Sequence, residues 1–142
     1  MSHPVELFFH ALDHQPAPTI YWVGDRWSSD AAPAFRARGW TVDLPAPGTR
    51  LEFLSLPRES REGVFVESLP SDWSGERVQR LLAAVFQGLK PGGVFFVGFE
   101  GRDSLAILAW LRQAGFEAIH QGSSGAASGV LARRIGPAAA GK

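Results

Sequence analysis

The sequence predicts an α/β fold with a mainly parallel sheet and an antiparallel hairpin at its carboxyl end. Three observations carry this expectation. Apolar, β-rich runs alternate with segments whose apolar residues recur at helical spacing. The two strongest strand candidates, G-V-F-V-E-S-L and G-V-F-F-V-G-F-E, are apolar on consecutive positions, as strands covered on both faces are. Finally, F-E-A-I-H-Q and G-V-L-A-R-R-I bracket a Gly/Ser stretch and read as a hairpin at the sheet edge.

Each element follows in order. Val5, Phe8, Phe9 and Leu12 recur at i, i+3, i+4 and i+7, drawing an apolar stripe on a helix within residues 1–16 that Pro16 and Pro18 end. Thr19 to Val23 is a short run of β-formers. Ser28 or Ser29 can cap the next helix, with Asp30 placed against its positive amino end and Pro33 in its first turn. Gly39 suits the end of that helix, and W-T-V-D-L-P begins a second strand just beyond it. Only P-A-P-G-T then precedes the apolar R-L-E-F-L-S-L-P, whereas a parallel crossover takes about a dozen residues or more and usually a helix. A crossover helix is therefore missing, and Leu51 to Leu56 is either a hairpin partner or a remnant strand.

The pattern recovers at G-V-F-V-E-S-L. Val78, Leu81, Leu82, Val85, Phe86 and Leu89 mark one face of a helix from about Gly75 to Lys90, which Pro91-Gly92-Gly93 stops. G-V-F-F-V-G-F-E is a core strand, and Leu105, Leu108 and Leu111 lie on a helix from Ser104 to Ala114 that Gly115 ends. The expected sheet has about six or seven strands.

The 142 residues suit one domain over 1–142, with 136–142 as a flexible tail. Hydrophobic residues make up 45% of the chain and the net charge is zero, so bulk composition points to neither disorder nor a nucleic-acid partner. Cysteine is absent, which removes disulfides, thiolate metal sites and cysteine nucleophiles. No apolar run approaches the ~20 residues of a membrane span and the amino terminus lacks a basic, then apolar, signal pattern, so a cytoplasmic protein without membrane contact is expected. Positive charge is almost all arginine and asparagine is absent, which fits a GC-rich or heat-adapted bacterium.

Several chemistries find little support. His10 and His14 share a helical face with Asp13 nearby, but no third ligand accompanies them, so they read as a polar helix face and no metal is expected. G-S-S-G-A-A-S-G lacks the lysine of a P-loop and reads as a hairpin turn, and His120 as an ordinary strand residue. Neither G-x-S-x-G nor G-x-G-x-x-G is present, which argues against a serine hydrolase and a nicotinamide dehydrogenase.

From Leu54 to Phe116 the chain places L-L-A-A-V-F-Q-G-L-K-P-G-G-V-F-F-V-G-F-E-G and then W-L-R-Q-A-G-F after G-V-F-V-E-S. In that order it resembles the S-adenosylmethionine-dependent methyltransferases of the Rossmann-like class, particularly small bacterial members. Y-W-V-G at the first strand, the end of the first helix at Gly39 and Val42-Asp43 at the second strand fall in the matching order. The family's loop after strand one is G-x-G-x-G; here only Gly24 is kept, Arg26 and Ser28 stand at the later glycine positions, and Trp22 replaces the acidic residue two before the first glycine.

The resemblance implies a Rossmann-like methyltransferase fold, from which the shortened second crossover departs. It also implies a cofactor site made by Gly24, Asp25, Arg26, Asp43, Glu67 and Ser68, with S-adenosylmethionine as cofactor. Asp43 aligns with the residue that holds the ribose hydroxyls; read alone, it is a turn residue before Pro45. Arg26 either grips a carboxylate such as that of the methionyl group, or another anion, or, with Trp27, fills the space of a lost cofactor or simply faces solvent. Asp72 and Trp73 are candidates on the acceptor side, Trp73 by stacking on a planar substrate. Taken singly, Glu67 is a strand-end side chain and Asp72 or Ser74 a helix cap.

Two functions are open: methyl transfer to a small acceptor, or a non-catalytic scaffold serving as a binding or subunit-interface module. The lost crossover favours the second, because it could expose apolar sheet surface to self-association or a protein partner.

Overall fold

In the computed structural model of the chain, the described residues are 4–13, 15, 17–24, 28–45, 54–70, 72–101, 103–124 and 127–135. In chain order the elements are α1 (Pro4–Leu12), β1 (Thr19–Val23), α2 (Ser28–Ala37), β2 (Thr41–Asp43), β3 (Arg61–Val66), α3 (Gly75–Gly88), β4 (Leu89–Glu100), α4 (Ser104–Ala114), β5 (Phe116–Ser124) and β6 (Ala127–Arg134). The six strands form one sheet in the order β2-β1-β3-β4-β6-β5. β2, β1, β3 and β4 run parallel, and β6 is antiparallel to both β4 and β5. This is the Rossmann-like arrangement expected, closed by the antiparallel hairpin.

The sheet separates two apolar layers. On one face Phe8, Leu12, Phe35 and Trp40 bury Ile20, Trp22, Phe65 and Phe96 beneath α1, α2 and the loop before β2. On the other, Val78, Leu81, Leu82 and Val85 of α3 and Ile107 and Leu111 of α4 cover Val64, Val66, Phe95 and Val97. Adjacent residues of β3 and β4 therefore point into different layers, which is why both strands read as unbroken apolar runs.

The structure departs from expectation in four places. Between Asp43 and Arg61 the described residues hold neither helix nor strand: Leu54 to Leu56 is irregular, and the rest of the expected remnant strand, 51–53, lies outside the described residues. Helix α3 ends at Gly88 rather than Lys90, because Leu89 is already extended (φ −84°, ψ 142°) and pairs with Arg61. The buried Arg134 guanidinium takes up the carbonyls of Phe86 and Leu89 at that helix end. Pro91-Gly92-Gly93 accordingly lies inside β4, where its register with β3 shifts. Helix α2 starts at Ser28, so Ser28 and Ser29 are inside it and Pro33 falls within the helix rather than in its first turn. Lastly, the described part of the Gly/Ser stretch, 122–124 and 127–129, is paired strand, with Gly122 opposite Gly129 and Ser124 opposite Ala127; 125 and 126 lie outside the described residues.

The amino ends of the central strands are tied by one carboxylate. Glu62 accepts from the Thr19 amide at 2.7 Å and from Lys90 Nζ at 2.6 Å, joining β1, β3 and β4. Burial by itself would raise the Glu62 pKa, but the Lys90 hydrogen bond, the Thr19 amide and the Lys90 charge together hold it below the ordinary value.

Candidate functional site

In a doubly wound sheet, ligands bind outside the carboxyl ends of the strands where the chain reverses its direction of winding. Here that point lies between β1 and β3, since β2 adds on one side of β1 and β3 on the other. Val23 pairs with Val66, so the residues just past both strand ends, Gly24 and Glu67, stand side by side.

Gly24 has φ +133°, a conformation open to glycine. A Cβ there would overlap Cγ and Cδ of Glu67, whose side chain folds over the turn. Glu67 is held from several sides. Its amide donates to the Val23 carbonyl at 3.0 Å, and Trp22 Nε1 donates to its Oε2 at 3.1 Å. On the far side a Cβ at Gly98 would strike the Glu67 carbonyl oxygen, so only glycine lets the chain leaving β3 cross β4 this closely. The Leu69 amide then donates to the Gly98 carbonyl at 2.7 Å, completing the crossing.

Trp22 is fully buried. Its ring stacks on Phe65 with centroids 4.0 Å apart and planes 8° apart, and Phe65 stacks in turn on Phe96 at 4.6 Å. Phe35 meets Trp22 edge-on at 5.9 Å.

Asp43 lies elsewhere. It is the last residue of β2 and pairs with Tyr21, so it stands about 10 Å along the strand direction from the level of Gly24. Arg61 Nη2 approaches Asp43 Oδ2 at 3.1 Å, and the Arg61 guanidinium lies 5.9 Å over the Tyr21 ring. Burial raises the Tyr21 pKa, with Arg61 opposing and Asp43 adding to the shift.

Of the other expected site residues, Asp25 and Arg26 lie outside the described residues, as does Trp27. Ser68 and Asp72 are exposed on the segment leaving Glu67. Trp73 does not face the crevice as an open stacking platform: its side chain is buried in the α3-side core, and it is Ser74 that caps α3, accepting from the Arg77 amide at 3.3 Å. The structure thus brings Gly24 and Glu67 together, keeps Asp43 apart, and adds Trp22. Sequence reading met Trp22 only as a replaced acidic residue. The signal that could have revealed its role is the shared ending of T-I-Y-W-V and G-V-F-V at a valine, which aligns Gly24 with Glu67.

Among the described residues, no three His, Asp or Glu side chains converge on a point that could hold a metal ion, and no helix is long and apolar enough to cross a membrane. His10 is exposed, and Asp13 pairs with Arg38 at 3.2 Å.

No protein-family model matches the chain, and no curated protein matches it in sequence. Solved structures do match in fold. The 1,6-didemethyltoxoflavin-N1-methyltransferase of Burkholderia thailandensis, solved with 1,6-didemethyltoxoflavin and S-adenosylhomocysteine, superposes with a TM-score of 0.74 at 12% identity, over 93% of this chain and 76% of that one. A SAM-dependent methyltransferase from Methanosarcina mazei gives a TM-score of 0.69 at 13% identity, over 95% and 99% of the two chains. A possible exported protein from Bordetella parapertussis gives 0.66 at 18% identity, over 92% and 67%. The fold is therefore that of the Rossmann-like methyltransferases, and at these identities the likeness extends to the fold alone.

Proposed function

We propose that the protein binds S-adenosylmethionine at the β1/β3 switch point and passes its methyl group to a small acceptor. The observation that supports this reading most is Glu67, a carboxylate fixed beside the Gly24 turn at the place where this sheet topology receives ligands. A carboxylate there suits a ligand that carries positive charge, as S-adenosylmethionine does at its sulfonium and ammonium groups.

In this reading Gly24 and Glu67 meet the methionyl part, with Asp25, Arg26 and Ser68 beside it. Asp43 keeps Oδ2 on Arg61 and offers Oδ1 to the ribose hydroxyls. Asp72 borders the acceptor, while Trp73 supports α3 from the core. The cofactor supplies an electrophilic methyl group. The chain's own share of the work is to hold cofactor and acceptor in line at close range.

A second reading draws on two contacts. The Glu67 side chain already covers Gly24, and Arg61 draws Asp43 away from the level of the turn. Both favour a scaffold that has lost the cofactor and serves as a binding or subunit-interface module.

Calorimetric titration with S-adenosylmethionine and S-adenosylhomocysteine, after mass spectrometry for co-purified ligand, separates the two. Micromolar binding is the expected result. Asp43→Ala should then weaken it by about 1.5 to 3 kcal/mol through loss of charge-assisted hydrogen bonds. No heat at millimolar ligand would leave the scaffold reading, and unchanged affinity in Asp43→Ala would remove Asp43 from the site.

A further inference from the structure

We propose that Trp22 is the positioning residue of this site: its indole N–H sets the orientation of the Glu67 carboxylate that receives the cationic part of the ligand. The inference rests on the cofactor reading above.

Trp22, Phe65 and Glu67 share one face of the sheet, because Trp22 pairs with Phe65 and Glu67 follows two residues further along the same chain. An indole has a single polar atom, and that atom can only donate. With the ring fully buried and stacked on Phe65, the N–H has one direction in which to find an acceptor, and Glu67 Oε2 lies there at 3.1 Å. The backbone of Glu67 is fixed separately, by the Val23 carbonyl and by the close crossing at Gly98. What Trp22 adds is the choice of side-chain rotamer. It folds the carboxylate back over Gly24 instead of letting it extend, so the ordering of a flexible side chain is complete before a ligand arrives. Trp22 touches no reacting atom in this arrangement. It acts through Glu67.

Trp22→Phe keeps an aromatic ring in the stack and removes the donor. For S-adenosylhomocysteine, Trp22→Phe and Glu67→Gln should each raise Kd by about tenfold or more, and the double variant should bind no worse than the weaker single variant. In 15N-labelled protein, the Trp22 indole N–H resonance should move upfield in Glu67→Gln while the rest of the spectrum keeps its dispersion. Wild-type binding with Trp22→Phe unaffected, or with the two losses multiplying, overturns the inference and leaves the cofactor reading standing. No binding by the wild-type protein removes both. If Trp22→Phe does not fold, the indole resonance decides: a shift in Glu67→Gln supports the inference, and an unmoved signal overturns it.

Discussion

Two glutamates at opposite ends of β3 have been put to different uses. Glu62, at the amino end, is matched by an ammonium and a backbone amide and ties three strands together. Glu67, just past the carboxyl end, is oriented by a neutral indole beside a glycine turn. The first is held by an ion pair with Lys90, whereas the indole N–H at the second is a neutral donor that fixes direction. The same residue type thus ties strands together at one end of β3 and lies over a glycine turn at the other.

Substitutions at the two ends should have different effects. Glu62→Gln should lower stability by about 1.5 to 3 kcal/mol in urea denaturation, through loss of a charge-assisted hydrogen bond, and leave affinity for S-adenosylhomocysteine unchanged. An affinity loss in that variant, or its appearance only with Glu67→Gln, decides whether the two ends are separate. Gly98→Ala should cost about 1 to 3 kcal/mol, because the added methyl group must displace the chain at the Glu67 carbonyl, and it should weaken ligand binding as well. A stability loss with unaltered binding would detach Gly98 from the site.

Acid tests Glu62 directly. Because the folded pKa of Glu62 lies below its ordinary value, its contribution is complete above the ordinary glutamate range, about pH 4.3, and is lost as pH falls through the lowered folded value. The melting temperature of the wild type should fall more steeply than that of Glu62→Gln in this window; parallel curves would deny Glu62 that role. The smallest effect belongs to a pair on the surface of α3. Arg80 lies 3.5 Å from Glu76 with both side chains mostly exposed, and Arg80→Ala should change stability by no more than about 0.5 kcal/mol in the same urea assay.

Most of the fold was legible because it follows from periodicity. β3 and β4 declare themselves by unbroken apolar runs, and α3 by Val78, Leu81, Leu82 and Val85 on one face. Leu89 fits the same helical spacing but opens β4, since pairing with Arg61 and capping by Arg134 are contacts made far along the chain. The site was less legible for the same reason. The sequence places Gly24 and Glu67 at strand ends, but the contact between Trp22 and Glu67 exists only through the parallel register of β1 and β3. Asp43 shows the converse: its position in sequence suits a ribose ligand, while its pairing with Tyr21 sets it lower on the sheet, within reach of Arg61. Trp73 reads as a loop aromatic because burial against α3 leaves no local mark.

The strands from Arg61 to Arg134 and their helices are contiguous in sequence, whereas β1 meets β3 across residues 24–60, which include α2 and β2. Segments contiguous in sequence tend to open as units, so the two parts are expected to differ in opening free energy. In native-state hydrogen exchange, amides in the middle of β4 should report the global transition. The Glu67 amide, bonded to the Val23 carbonyl across the join, should exchange through an earlier and cheaper opening. A ligand at the switch point would slow that amide in proportion to its own saturation, making the join a built-in gauge of occupancy.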